Sequence, residues 1–154
     1  MLSNKGRMFV SGTELGWDLI ANGNTADSTF YHNYLKADYV NDNAGVYTVN
    51  GNSSGIFNGL TGITFDNGSN GIYNAAYPDS INNYGGSTVD LLYNGTAFNA
   101  GIEYKGISLR LIYFGFPFET IYPESSRNTV MQRILSYLDA NPVPVELSQF
   151  EILD

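Results

Sequence analysis

ISLRLIYFGFPFETI, residues Ile107–Ile121, is the stretch around which the remaining segments arrange themselves. Leu109, Leu111, Tyr113 and Phe114 form an almost unbroken apolar run, interrupted by Arg110. A strand with one wet face alternates apolar and polar residues. A run apolar on both sides fits a strand covered on both faces, as in a parallel sheet between helices. Gly115 then frees the backbone and Pro117 has no N–H to give a ladder, so regular pairing is predicted to stop near Phe116. Phe116-Pro117-Phe118-Glu119 sets a carboxylate among aromatic rings at the C-terminal end of this strand. In open α/β sheets that end is where ligands bind.

Working outward, Ser125 or Ser126 is predicted to cap a helix whose apolar face is Val130, Met131, Ile134, Leu135, Tyr137 and Leu138, with Arg127 and Arg133 opposite. Upstream, Val89–Tyr93 and Phe98–Tyr104 flank Asn94-Gly95-Thr96 and read as a hairpin. Near the start, Met8-Phe9-Val10 reads as a second buried strand. It leads through Ser11-Gly12-Thr13-Glu14 into a short helix carrying Leu15, Trp17, Leu19 and Ile20. Ser11 or Thr13 would cap it, and Glu14 suits the positive end of its dipole. Asp27 or Ser28 would cap another helix, with Phe30, Tyr31, Tyr34 and Leu35 on one face. Between about residues 40 and 106, short β-prone runs are punctuated by Asn-Gly turns and read as an insertion, with a short turn of helix at Pro78-Asp79-Ser80-Ile81.

These segments predict an α/β fold: a three-layer, mostly parallel sheet over residues 1–141, with a β-rich insertion at about residues 40–106. Two buried strands are not covered by two helices and a hairpin alone. Either the insertion strands complete the sheet or further strands precede Met1, and the second arrangement, a domain incomplete at its N-terminus, is the expectation. Asn141-Pro142-Val143-Pro144 ends the last helix. Residues 142–154 read as a linker and the start of a following module.

Composition narrows the function. Seven Lys and Arg against fifteen Asp and Glu give a net charge of −8, without the basic patch that nucleic acid requires. No apolar run approaches the ~20 residues that span a bilayer. The absence of Cys removes disulfides, thiolate metal ligands and a thiol nucleophile together. Only 14% of residues are charged, while Tyr, Asn and Gly abound, a pattern associated with bacterial extracellular proteins. No cofactor is expected.

Gly6-Arg7-Met8-Phe9-Val10-Ser11-Gly12-Thr13-Glu14-Leu15-Gly16-Trp17-Asp18-Leu19, followed by the Gly/Asn-rich insertion, Gly115-Phe116-Pro117-Phe118-Glu119-Thr120-Ile121 and the Met-containing helix, resembles a domain of large secreted bacterial proteins. That domain is similar to the class I glutamine amidotransferase-like fold, which is flavodoxin-like in architecture and often annexed to surface peptidases and polysaccharide-degrading enzymes. Pro144-Val145-Glu146-Leu147-Ser148-Gln149-Phe150 resembles the opening of modules in proteins exported by the type IX secretion route. The resemblance implies a secreted or cell-surface location, with other domains of the same parent protein as partners.

It also implies where chemistry would sit. A working amidotransferase-like site has a Cys at the elbow after the first of these strands and a His-Pro-Glu triplet after the second; thiolate attack on an amide needs both the thiol and the imidazole. Here Ser11, Gly12 and Thr13 stand at the elbow and Phe116-Pro117-Phe118-Glu119 at the triplet, while His32, the only histidine, lies elsewhere. The expectation is a non-catalytic accessory or interaction domain. One alternative is a hydrolase using Ser11 or Thr13 with Glu119. The other is a carbohydrate-binding module, in which Trp17, Tyr31, Tyr34, Tyr73, Tyr77, Tyr84 and Tyr93, with the many Asn, stack on and hydrogen-bond polysaccharide or cell-surface glycan, and Trp17, Asp18 and Glu119 are the candidate ligand residues. Asp66-Asn67-Gly68-Ser69-Asn70-Gly71 places Asp66 and Asn70 at candidate Ca²⁺ positions, but Tyr77 stands where a bidentate Glu belongs, and a plain turn explains the loop as well.

Overall fold

The computed structural model describes residues 6–138, and the chain is mostly β. Its strands are β1 (Gly6–Ser11), β2 (Ala37–Asn41), β3 (Thr48–Gly51), β4 (Ile63–Phe65), β5 (Ser80–Asn83), β6 (Thr88–Tyr93), β7 (Asn99–Lys105), β8 (Leu109–Phe114) and β9 (Ile121–Tyr122). Its α-helices are α1 (Thr25–Phe30) and α2 (Glu124–Leu138). A seven-stranded sheet has the order β1-β8-β7-β6-β3-β4-β9, and β2 and β5 form a separate two-stranded ribbon. Residues 142–154, read as linker and following module, lie outside the described residues.

This corrects the expected three-layer, mostly parallel, amidotransferase-like (flavodoxin-like) sheet. Among the described strands β1 and β8 run parallel; all other paired strands are antiparallel. The apolar run of β8 does mark cover on both faces. Leu111 and Tyr113 pack with Tyr31, Leu35 and Ile102 on one side, while Ile112 and Phe114 join Val130 and Ile134 of α2 on the other. Antiparallel neighbours give that environment as well as parallel ones once both faces are packed. Nor do the runs assigned to an insertion stand apart: β3 and β4 lie between β6 and β9 and complete the sheet.

The sheet curls. β8 and β9 are joined by Gly115–Thr120 yet stand second and seventh in strand order. Five strand spacings of ~4.8 Å make ~24 Å, more than a linker containing a 3₁₀ turn at Phe118–Thr120 can cross. Closure wraps the sheet around a ring stack: the Phe116 ring lies 4.4 Å from that of Phe65 and 5.2 Å from that of Phe114, nearly parallel to both.

Local chemistry sets the helix ends. Asn24, not Asp27 or Ser28, caps α1: its Oδ1 accepts from Ala26 N at 2.7 Å and Asp27 N at 3.3 Å, and Asp27 Oδ2 accepts from Asn24 N at 2.9 Å. The chain continues from α1 through a wider helical turn, Tyr31–Leu35, that buries Tyr31 and Leu35. At the C-terminal end of α2, Arg110 Nη1 donates to Tyr137 O at 2.6 Å and Arg7 Nε donates to Leu138 O, cations placed on the negative end of the dipole. The one charge in the apolar run of β8 therefore serves the helix packed over it. Pro78-Asp79-Ser80-Ile81, expected as a short turn of helix, instead leads into strand β5, which begins at Ser80. No helix among the described residues is long and apolar enough to cross a membrane.

Candidate functional site

The parallel pair brings two turns to one place. Ser11 lies opposite Phe114 in the register, so β1 and β8 end side by side and the chain segments after them meet. Phe118 N–H donates to Ser11 Oγ at 3.3 Å. The Glu119 carboxylate is exposed and accepts from Tyr73 OH at 2.5 Å, and its carbonyl accepts from Arg127 Nη1 at 3.3 Å. No hydrogen bond among the described residues joins Ser11 Oγ to the Glu119 carboxylate. Thr13 is half-buried in the turn after Ser11. His32 sits elsewhere, with Nε2 3.2 Å from Asp38 Oδ1 and its ring stacked 4.5 Å from Tyr84. Serine and imidazole are not brought together as the first steps of a triad.

What the strand end presents instead is a carboxylate. Between β1 and the helical turn Trp17–Ala21, Glu14 adopts the left-handed conformation at φ 67°. A side chain on a strained strand-to-helix turn is projected out of the sheet, the device by which elbow nucleophiles are exposed. Glu14 O accepts from Asp18 N at 2.8 Å and starts the turn. Gly16 closes it where no side chain fits: a Cβ there would stand 2.5 Å from the Tyr39 ring.

Asp79 holds this turn against the sheet. Its Oδ2 accepts from Gly16 N at 2.7 Å, its N–H donates to Gly115 O at 2.8 Å, and its carbonyl accepts from Tyr93 OH at 2.9 Å. The residue is 0% exposed, and a Cβ on Gly115 would lie 2.3 Å from its carbonyl oxygen. Asp79 Oδ1 is buried and finds no hydrogen-bond partner among the described residues, and Asp42 Oδ1 is in the same condition. Burial, opposed by the Gly16 N–H and reinforced by the charges of Glu14, Asp42 and Asp18, pushes the Asp79 carboxyl up to about 7. Burial and then the charges of Asp42 and Asp18 raise Glu14. The Tyr39 phenol rises to about 12, through burial first and then Asp42, Asp79 and Glu14.

Exposed aromatic residues stand near these acids in the chain. Trp17, 38% exposed, follows the elbow with Asp18 beside it in the sequence. Tyr77, 53% exposed and left-handed at φ 56°, precedes Pro78 and Asp79. Tyr73 reaches Glu119. Tyr31 and Tyr93, grouped by sequence with these rings, are core residues.

Asp66 and Asn70 are used within their own loop. Asp66 Oδ1 accepts from Gly68 N at 2.8 Å and Asn70 N at 3.0 Å, Oδ2 accepts from Ile72 N at 2.8 Å, and Asn70 Nδ2 turns back on Asp66 Oδ1 at 3.5 Å. Burial raises this carboxyl, but the donors from Ile72, Asn70 and Gly68 outweigh it and hold it below the ordinary value. No group of three or more His, Asp or Glu side chains among the described residues is arranged to hold a metal ion. A second buried acid, Asp90, anchors the loop after β3: its Oδ1 accepts from Phe57 N at 3.3 Å and its carbonyl from Asn52 N at 2.8 Å. Burial, and then Glu103, pushes it to about 8.

Sequence reasoning found the strand end and, of its acids, Asp18 and Glu119, but not Asp42 or Asp79, and gave Glu14 no more than a helix-dipole role. Asp42 lies in a loop without motif, and Asp79 sits in a segment read as helical. Glu14 had a signal, glycines at positions 12 and 16 spaced evenly about it between strand and helix, the pattern of an elbow with a carboxylate at its centre. No family model, no curated protein and no solved structure matches this chain.

Proposed function

We propose that this chain is a non-catalytic accessory domain of a larger secreted or cell-surface protein, and that it binds glycan at the C-terminal end of the β1–β8 pair. The observation that carries the reading is a carboxylate on a strained turn after β1, Glu14, in a chain where the exposed rings of Trp17 and Tyr77 stand three residues after it and two before Asp79, the residue that holds the turn. Sugar recognition uses these parts: flat apolar rings for the C–H faces and carboxylate or amide oxygens for the hydroxyls. The Ser11 hydroxyl accepts the Phe118 N–H and His32 pairs with Asp38, an arrangement that favours binding over acyl transfer. Extracellular location and attachment to other domains rest on the low-charge, Tyr/Asn/Gly-rich composition and on the resemblance of residues 6–140 and 144–150.

The test is a glycan array probed with the purified chain and with Trp17→Ala. Binding to a set of related polysaccharides that the variant loses supports the reading. Silence across the array, or binding unchanged in Trp17→Ala, overturns the glycan assignment.

A further inference from the structure

We propose that the open edge of β1 takes residues 145–153 of this same chain as a further strand of the sheet, running parallel to β1. β1 stands first in the strand order, and among the described strands it pairs with β8 alone. Gly6 N–H donates to Ser108 O and Gly12 N–H to Phe114 O, so the even-numbered positions of β1 turn their backbone groups to β8. Arg7, Phe9 and Ser11 turn theirs to the other side, where no described strand stands. Open edges are commonly blunted by a lysine, a proline, a bulge or brevity. β9, at the opposite edge, is two residues long. β1 is six residues long, holds neither lysine nor proline, and pairs with β8 in unbroken register. Its one charge, Arg7, is turned onto Leu138 O. Met8, Phe9 and Val10 are only half-buried, although Phe9 meets the Phe114 and Phe118 rings on one face and Met8 and Val10 meet the cluster of Tyr31 and Leu35 on the other.

The helix packed over β1 and β8 carries apolar surface past that edge. Val130, Ile134 and Leu138 of α2 are its buried stripe. On one flank of the stripe Arg133 Nη1 donates to Ile56 O and Asn58 O, both at 2.8 Å, in the loop that Asp90 of β6 and Glu103 of β7 hold. At about 100° per residue, Met131 and Leu135 lie on the opposite flank, the side of β1. Met131 is half-buried and Leu135 is 37% exposed. The course of the chain names the occupant. α2 runs back along β8: Arg127 Nη1 donates to Glu119 O near its start, and Arg7 Nε and Arg110 Nη1 donate to Leu138 O and Tyr137 O at its finish. The chain therefore leaves α2 beside the start of β1. Residues 139–144 reach up to about 20 Å, and the next strand position in a sheet is about 4.8 Å away. A helix that returns the chain to the start of a strand is the connection that parallel strands use. Val145 and Leu147 share one parity, and Phe150 and Ile152 the other. As a strand this segment is apolar on both faces, which suits a position between α2 and the Tyr31 cluster.

The experiment is amide hydrogen exchange, read residue by residue on the full chain, in wild type, Leu147→Asp and Phe150→Asp. The Val10 N–H, which faces β8, reports whether each protein is folded. The Phe9 N–H, which faces the open side, reports the added strand. In wild type it is expected to exchange at least about a hundredfold more slowly than in an unfolded chain. Each variant should speed it at least about tenfold while Val10 keeps its protection. The two substitutions fall on opposite faces of the segment, so either one serves if the other does not fold. A Phe9 N–H that exchanges freely in wild type overturns the proposal, the result expected if residues 145–153 belong to a following module instead. Protection that both folded variants retain also overturns it. Protection that falls on dilution, together with a dimer in sedimentation, gives the edge to a second copy and overturns the assignment to this segment.

Discussion

Glu14 stands in a backbone conformation that costs a residue with a side chain about 1–2 kcal/mol. Glycine would occupy it freely, and glycines already stand on either side at positions 12 and 16. A carboxylate kept there against that cost is what a binding role explains and a purely structural turn does not. Glu14→Gly is therefore expected to gain about 1 kcal/mol in urea unfolding, the relief of strain less the extra freedom of the unfolded chain. The same variant should weaken glycan binding on the array. A drop in stability would mean that the side chain holds the turn together, and the trade-off argument would fail. The sequence carried the chemistry of this residue but not its conformation. The spacing of Gly12, Glu14 and Gly16 was visible, whereas the turn they form is held by Asp79, sixty-three positions beyond Gly16, whose carboxylate accepts the Gly16 N–H.

At the scale of elements, the legible parts were those whose apolar pattern is local. β8 showed cover on both faces because Leu111 and Tyr113 meet one cluster and Ile112 and Phe114 the other. The last helix showed its buried stripe, with Val130, Ile134 and Leu138 fully inside. The strand order was not legible. Asn-Gly turns say that strands end, not which strands they join, and a buried run reads alike in parallel and antiparallel company. Closure of the sheet depends on Phe116, whose ring lies between Phe65 of β4 and Phe114 of β8, strands far apart in the order. Phe116→Ala removes that central ring at a residue 0% exposed. The expected loss is about 3–5 kcal/mol in denaturant unfolding, the range for a buried Phe truncated to Ala. Phe116→Leu, which keeps most of the volume but no stack, should lose clearly less. Equal losses from the two variants would place the stabilisation in ring stacking; a negligible loss from Ala would show that closure does not run through this residue.

Over the whole molecule, the buried acids set an unusual dependence on pH. Asp79 is raised to about 7 and Asp90 to about 8, and Glu14 and Glu103 are raised as well, in every case by burial first. In the unfolded chain such carboxyls lose their protons near pH ~4. Between there and about 7 to 8 the unfolded state binds fewer protons than the folded one, so each step up in pH lowers stability. Asp66 acts the other way. Although burial raises it, the N–H groups of Ile72, Asn70 and Gly68 hold it down, so its contribution is present above pH ~4 and is lost as pH falls through its folded value. The opposing slopes meet in mild acid. The stability maximum is expected near pH 4–5, at the acid margin of the usual pH ~5–8 range, with a fall on the order of a few kcal/mol by pH ~8 from Asp79 and Asp90 together. Urea unfolding at a series of pH values measures it, and Asp79→Asn identifies the source. The amide cannot ionise, and its oxygen still accepts from Gly16 N–H, so the variant should match wild type near pH ~4 and exceed it at pH ~8. The slope between about 4 and 7 should flatten, while the Asp90 contribution persists toward 8. A wild-type maximum at pH ~7 or above, or an Asp79→Asn curve parallel to wild type, would mean that Asp79 is ionised in the folded protein with its charge compensated.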